Sequence, residues 1–196
     1  MDVRPHPRYR ELLYRLRSIA RKAPPANGVA FRSVEFEYAR AADILSGEGS
    51  FRAGGRWNAP GSFPVIYSST RPGAAVEEAF QLASEFDLAE ADLRPRVICG
   101  VRWELSAVLD LTAIQLPGWI NLENWMKEDY RAINDRGIES LCQAFGRALR
   151  NLGVTAILCP SARVENAVNL VVFRDRLRRK DMIRLISEDD VKKYFA

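Results

Sequence analysis

Residues 47–61 read Gly-Glu-Gly-Ser-Phe-Arg-Ala-Gly-Gly-Arg-Trp-Asn-Ala-Pro-Gly, and no other stretch restricts the fold as much. Five glycines and a proline in fifteen positions are too many for regular structure. The same stretch carries Phe51 and Trp57, which a free linker would not bury. The combination predicts an ordered loop that forms the wall of a pocket. The rest of the chain must therefore build a core against which that loop can pack.

The composition permits such a core. With 196 residues, 47% hydrophobic and 10% aromatic, one compact domain is expected and disorder is excluded. No apolar run approaches 18 residues, so no membrane span is expected. The N-terminus, MDVRPHPRYR, lacks the apolar run of a secretory signal. Three widely spaced cysteines, Cys99, Cys142 and Cys159, read as reduced core thiols of a cytoplasmic protein.

Periodicity divides the chain into elements. Tyr9, Leu12, Leu13, Leu16, Ile19 and Ala20 recur at helical spacing, so residues 8–22 form an N-terminal helical arm. The Pro24-Pro25-Ala26-Asn27-Gly28 break separates the arm and linker, 1–27, from a body at 28–196. Strands are expected at 29–32, 65–68, 97–103, 107–112, 154–159, 168–173 and 182–186. Helices are expected at 38–45, 74–85 and 138–152, with a short polar helix closing the chain, and 113–137 reads as irregular. The order is not a strict alternation of strand and helix, which makes the fold α+β, with mixed, mostly antiparallel sheets and flanking helices.

Several chemistries are excluded by residue supply. One histidine, His6, sits between two prolines in the arm, so neither a histidine-based nucleophile system nor a His-rich metal site is available. Neither phosphate-cradling glycine motif occurs. Any chemistry must rest on Arg, Glu, Asp, Tyr and Ser. The net charge of +4 is concentrated at the ends: seven basic against two acidic side chains in 1–23, and six against two in 174–184. This suits a solvated helix face and a contact for an acidic protein partner better than a nucleic-acid surface, because aromatic interleaving is missing.

Four places could carry chemistry. Phe31-Arg32 ends an early strand. Gly54-Gly55-Arg56-Trp57-Asn58 offers close backbone approach and a guanidinium fork. Tyr67-Ser68-Ser69 precedes a helix bearing Glu77 and Glu78, adjacent carboxylates about 100° apart, of which only one can face inward. Cys159-Pro160-Ser161-Ala162 follows a strand and leads to Asn166 and Asn169.

In this order the motifs resemble the RES domain family, the toxins of RES–Xre toxin–antitoxin pairs. The matching residues are Phe31-Arg32, Gly54-Gly55-Arg56-Trp57-Asn58 through Gly61, Val65-Ile66-Tyr67, Ala75-Val76-Glu77-Glu78, Pro160-Ser161-Ala162 and Asn169. Ala75, three residues before Glu78, selects Glu78 over Glu77. The resemblance implies an ADP-ribosyltransferase-like fold and an enzyme that cleaves the nicotinamide–ribose bond of NAD as glycohydrolase or phosphorylase. The alternatives are a protein-directed mono-ADP-ribosyltransferase and a non-catalytic nucleic-acid or partner-binding module. The resemblance further implies Glu78, Arg32, Tyr67 and Ser161 as catalytic residues, and Arg32, Arg56, Trp57, Asn58, Tyr67, Ser161 and Asn169 as NAD-binding residues. NAD is then a substrate, with no cofactor and no metal. The implied partner is an Xre-type antitoxin that blocks the site. Homo- or hetero-oligomers are expected, with DNA bound only through the complex.

Overall fold

A computed structural model describes residues 3–84 and 95–186. The expected closing helix lies outside the described residues. Among the described residues, seven strands make one sheet: β1 (Ala26–Glu35), β2 (Val65–Ser69), β3 (Arg96–Leu105), β4 (Val108–Asp110), β5 (Ala156–Pro160), β6 (Val168–Phe173) and β7 (Met182–Leu185). Their order is β4-β5-β6-β2-β1-β3-β7. Only β4 and β5 run parallel; the other neighbours are antiparallel. The α+β class read from the sequence is the architecture found.

Alternation along the strands decides which side chains meet. Val65, Ile157, Cys159, Val171 and Phe173 join one core, while Ile66, Ala156, Leu170 and Val172 join a second. Successive strand residues point to opposite faces, so both faces of the β5–β6–β2 part are covered. β1 and β3 pair over ten consecutive positions, from Ala26↔Leu105 to Glu35↔Arg96. β1 and β2 share a single registered pair, Phe31↔Ser69. The sheet therefore parts between β1 and β2, and the cavity described below opens at that fork.

The helices are α1 (Tyr9–Arg15), α2 (Arg17–Ala20), α3 (Ala41–Ile44), α4 (Glu48–Ala53), α5 (Pro72–Ser84), α6 (Leu122–Met126), α7 (Tyr130–Asp135) and α8 (Leu141–Asn151). α8 starts where its residues dictate. Ser140 accepts from the Gln143 amide and the Gln143 side chain returns to the Ser140 amide, a reciprocal capping box. The expected helix over 8–22 is two short helices meeting at Leu16. The 113–137 stretch is less irregular than its sequence indicates. Asn121 and Asp129 cap α6 and α7 with their side chains, a signal present in the sequence but attached to helices too short to show periodicity. α4 likewise occupies part of the glycine-rich stretch that the composition assigns to loop.

The N-terminal arm is not a separate unit. Leu12 and Leu16 are completely buried in the main core, and Tyr9, Leu13 and Ile19 pack against it. The expected boundary at 27/28 falls inside β1. The apolar stripe is thus spent on intramolecular packing. The carboxylate of Glu139, fully buried, ties the arm down further: it accepts from the His6 amide at 3.2 Å and from Arg147 Nε at 2.6 Å. Burial pushes its pKa up, against the pull of Arg147.

The basic C-terminal stretch also has structural work. Arg176 donates to Asn151 Oδ1, Arg178 to the Gly153 carbonyl and Arg174 to the Leu45 carbonyl. These contacts sit beyond helix C-termini, where cations are favoured by the exposed carbonyls and the helix dipole. Three of the six basic side chains of 174–184 are thus engaged within the fold while remaining exposed.

Leu16→Ala should destabilise the protein by about 2–5 kcal/mol, the usual cost of a fully buried leucine. Urea unfolding of the full chain checks this; a change below about 0.5 kcal/mol would show that the arm is dispensable to the core.

Candidate active site at the sheet fork

A cavity of 440 Å³ opens at the fork. Phe31, Arg32, Ser33 and Glu35 line it from β1, and Tyr67, Ser68 and Ser69 from β2. Ala75, Glu78 and Ala79 face it from α5. Gly54 to Trp57 close it on the loop side, with Met126 and Tyr130 behind them, and Asn169 reaches it from β6. His6 is not among its walls; burial and the neighbouring Arg8 lower its pKa.

The loop wall is held from beneath by α8. Gln143 Nε2 donates to the carbonyls of Gly55 (3.0 Å) and Asn58 (3.3 Å), and it exchanges hydrogen bonds with Asn134. Gly146 lies so close to Trp57 that a Cβ would run into its carbonyl oxygen. The Trp57 ring is buried against Phe145 with centroids 6.1 Å apart. Gly55 has no room for a side chain either, because its Cβ would sit 2.6 Å from the Tyr67 hydroxyl. Gly55 therefore serves close approach to Tyr67 inside the wall, while it and Gly54 also face the cavity.

Two expected ligand contacts change character in this wall. Asn58 is fully buried and does not line the cavity. Its amide donates to the carbonyls of Ser50 (2.7 Å) and Phe63 (3.1 Å), and its carbonyl accepts from the Tyr67 hydroxyl at 2.8 Å. With every polar position engaged, Asn58 holds the loop together and offers nothing to a substrate. Tyr67 also accepts from the Trp57 amide at 3.0 Å, and burial holds its pKa well above the usual phenol value. Its hydroxyl is committed, so only the ring can meet a ligand. Arg56 is anchored by Nη1 on the carbonyls of Met126 (2.6 Å) and Glu128 (3.2 Å) and lies over the Tyr130 ring. It keeps the remainder of its guanidinium for the cavity.

The carboxylates separate as their helical spacing requires. Glu77 is exposed, whereas Glu78 faces the cavity. Glu78 Oε1 accepts from Asn169 Nδ2 at 2.6 Å and from the Ser161 hydroxyl. Ser161 itself accepts from the amides of Arg163 (3.1 Å) and Val164 (2.9 Å), which locks its hydroxyl proton toward Glu78. Ser161 is absent from the cavity wall and acts on it through Glu78, as a positioning residue.

Arg32 is the least satisfied group in the site. Its Nε and Nη1 are buried without a hydrogen-bond partner. Burial pulls its pKa down to about 10, against a small opposing effect of the Cys99 thiol. The guanidinium is still charged at pH 7. Because its folded pKa lies below the unfolded one, the charge opposes folding at every pH below about 10, and that opposition lifts as pH rises through this value. Asn169 Oδ1 and Ser68 Oγ are likewise buried and unpartnered. The sequence singles out Ser68 only as part of the Tyr67-Ser68-Ser69 run and does not point to Arg96 or Tyr130, all three of which line the cavity. Arg96, whose Nε and Nη2 donate to the Ser33 hydroxyl (2.8 Å) and carbonyl (3.0 Å), comes from a strand whose apolar alternation draws attention away from its first residue.

The cavity thus holds an oriented carboxylate, an aromatic face and several arginines. Such a constellation suits an anionic substrate and a reaction in which positive charge develops. Among the described residues no group of three His, Cys, Asp or Glu could hold a metal, and no helix is long and apolar enough to cross a membrane.

The chain is a member of the RES domain family, whose sequence model matches residues 29–189. Over 135 residues it is 39% identical to proteins named NAD(+) phosphorylase MbcT from Mycobacterium tuberculosis and Mycobacterium bovis, a segment covering 66% of this chain and 66% of theirs. The matched segment is therefore just under two thirds of those relatives' length. A crystal structure of the M. tuberculosis MbcT–MbcA toxin–antitoxin complex superimposes with a TM-score of 0.67 at 29% identity, covering 90% of this chain and 89% of that one.

Two substitutions should separate support from binding. Gly146→Ala should cost about 1–3 kcal/mol, as an added methyl in a packed contact does, and should distort the loop wall. Arg32→Met should leave the apo protein at least as stable as the parent, since it removes an unpaired buried charge. Differential scanning calorimetry checks both. A clear fall in the midpoint for Arg32→Met would mean that the guanidinium is structurally paired.

Proposed function

We propose that this protein cleaves the nicotinamide–ribose bond of NAD and acts as the toxin of a toxin–antitoxin pair. The observation that carries the reading is Glu78, fixed by Ser161 and Asn169 on the wall of an arginine-lined cavity, in a chain related to proteins named NAD(+) phosphorylase. In this reaction the bond from ribose C1′ to the pyridinium nitrogen breaks, and its electron pair returns to the ring. Nicotinamide leaves neutral, so no proton donor is required. The ribose becomes oxocarbenium-like, and a preorganised carboxylate stabilises that charge. Glu78 has that role. Arg32 and Arg56 hold the diphosphate, the Tyr67 ring packs against the nicotinamide ribose, and Asn169 orients the sugar. No cofactor or metal enters any of these steps.

The acceptor that completes the reaction is an oxygen nucleophile at C1′. The relatives' name favours inorganic phosphate over water. A toxin that consumes NAD must be restrained in its own cytoplasm. An Xre-type antitoxin that covers the cavity mouth fits this need and the toxin–antitoxin complex of the structural relative. Oligomers and DNA contacts then arise through the antitoxin, since the N-terminal stripe is committed to the core.

Nicotinamide release from NAD by the purified protein, with and without phosphate, tests the reading. Glu78→Gln keeps the shape and removes the charge, and should lower the rate about 100- to 1000-fold. Glu77→Gln should leave it nearly unchanged. Equal activity in both variants and the parent would exclude the carboxylate mechanism, and labelling of protein by NAD would favour the transferase alternative.

A further inference from the structure

The fork of the sheet contains a residue that the reaction has not used. Ser68 is 6% exposed, lines the cavity, and its hydroxyl has no hydrogen-bond partner. An unbonded buried hydroxyl is uncommon, because burial without a partner is costly. Its position is informative. β1 and β2 are antiparallel with Phe31 opposite Ser69, so Arg32 and Ser68 are the first residues past that pair, where the strands part, and both line the cavity. Arg32 carries two buried unpartnered N–H groups at this point. Both side chains are left available to a third group.

We infer that Ser68 and Arg32 together form a phosphoryl-binding pair at the sheet fork, with the Ser68 hydroxyl donating to one oxygen while the Arg32 fork donates to others. Arginine supplies donors only, so the missing partner is an acceptor, and its charge must be negative to balance a buried cation. A tetrahedral phosphoryl group offers several acceptor oxygens and can accept from a planar fork and a hydroxyl at once. The other charged walls agree: Arg56, Arg96 and Arg163 outnumber Glu35 and Glu78. The inference rests on the NAD-cleaving reading. That reading provides two sources of the chemistry, the diphosphate of NAD and inorganic phosphate as acceptor.

The test is Ser68→Ala in the full chain. Affinities for NAD and for inorganic phosphate are measured by titration calorimetry in a Glu78→Gln background, where NAD is not consumed. KM and kcat for nicotinamide release are measured with Glu78 intact. Losing one hydrogen bond to a charged group should weaken binding of the relevant ligand about 10- to 100-fold. A loss confined to NAD assigns the pair to the diphosphate; a loss confined to phosphate assigns it to the acceptor. A rise in KM for that ligand should accompany either. The melting temperature should hold or rise, since an unsatisfied hydroxyl is removed. Unchanged affinity for both ligands overturns the proposal, as does a lowered melting temperature with intact binding, which is the mark of a structural hydroxyl. Nicotinamide release by the parent protein is read separately: with it, failure of Ser68→Ala to alter binding leaves the NAD reading standing. Without it, the NAD reading fails, and the phosphate titration still decides whether the pair binds a phosphoryl group.

Discussion

The carboxamide of Gln143 holds the loop wall of the site in place. It is buried on α8, it caps the first turn of its own helix, and it carries the carbonyls of Gly55 and Asn58. Three residues further along the helix, Gly146 lets the Trp57 backbone lie directly on the helix surface. Together they set the height and direction of the loop that presents Arg56 and encloses Tyr67. A longer side chain at 146, or an apolar one at 143, would lift that wall or leave its carbonyls without donors. The glycine-rich segment is rigid because a helix eighty-five residues away supplies its hydrogen bonds.

The second constraint is the separation of β1 from β2. A continuous sheet would satisfy its own edges and leave no cavity. Here the strands meet at one register pair and diverge, and the diverging ends carry Arg32 and Ser68, with Asn169 beside them on β6, all with buried polar atoms unpaired. Groups of this kind oppose folding of the apo protein. The stability they cost is recovered elsewhere, in cores on both faces of the neighbouring strands and in the arm that docks Leu12 and Leu16 onto α8. The fork is poised for an anion because the rest of the fold can tolerate it.

Charge tells a similar story. The excess of arginine at the two ends of the chain invites a nucleic-acid or partner surface, yet the structure engages Arg174, Arg176 and Arg178 on backbone and side-chain acceptors near helix ends, and pairs Arg150 with Asp175. The arginines that matter to the site are scattered in sequence, at 32, 56, 96 and 163, and meet only around the cavity.

Local information in the sequence was enough for the α+β class, for most of the strands and for α8 with its helical stripe; about 100° of rotation per residue let only one of Glu77 and Glu78 face inward, and the Ala75-x-x-Glu78 spacing of the family resemblance picked Glu78. Motif order pointed to Arg32, Arg56, Tyr67, Ser161 and Asn169 as neighbours. Tertiary structure decided what each of these does. Asn58 turned inward because the Ser50 and Phe63 carbonyls and the Tyr67 hydroxyl took all its polar positions. Ser161 became a support for Glu78 because two backbone amides fix its oxygen. The N-terminal stripe became core because α8 lay opposite it. None of these outcomes has a local signature: each depends on which distant hydrogen-bond partner or apolar face arrives first within reach, and only the folded chain brings them together.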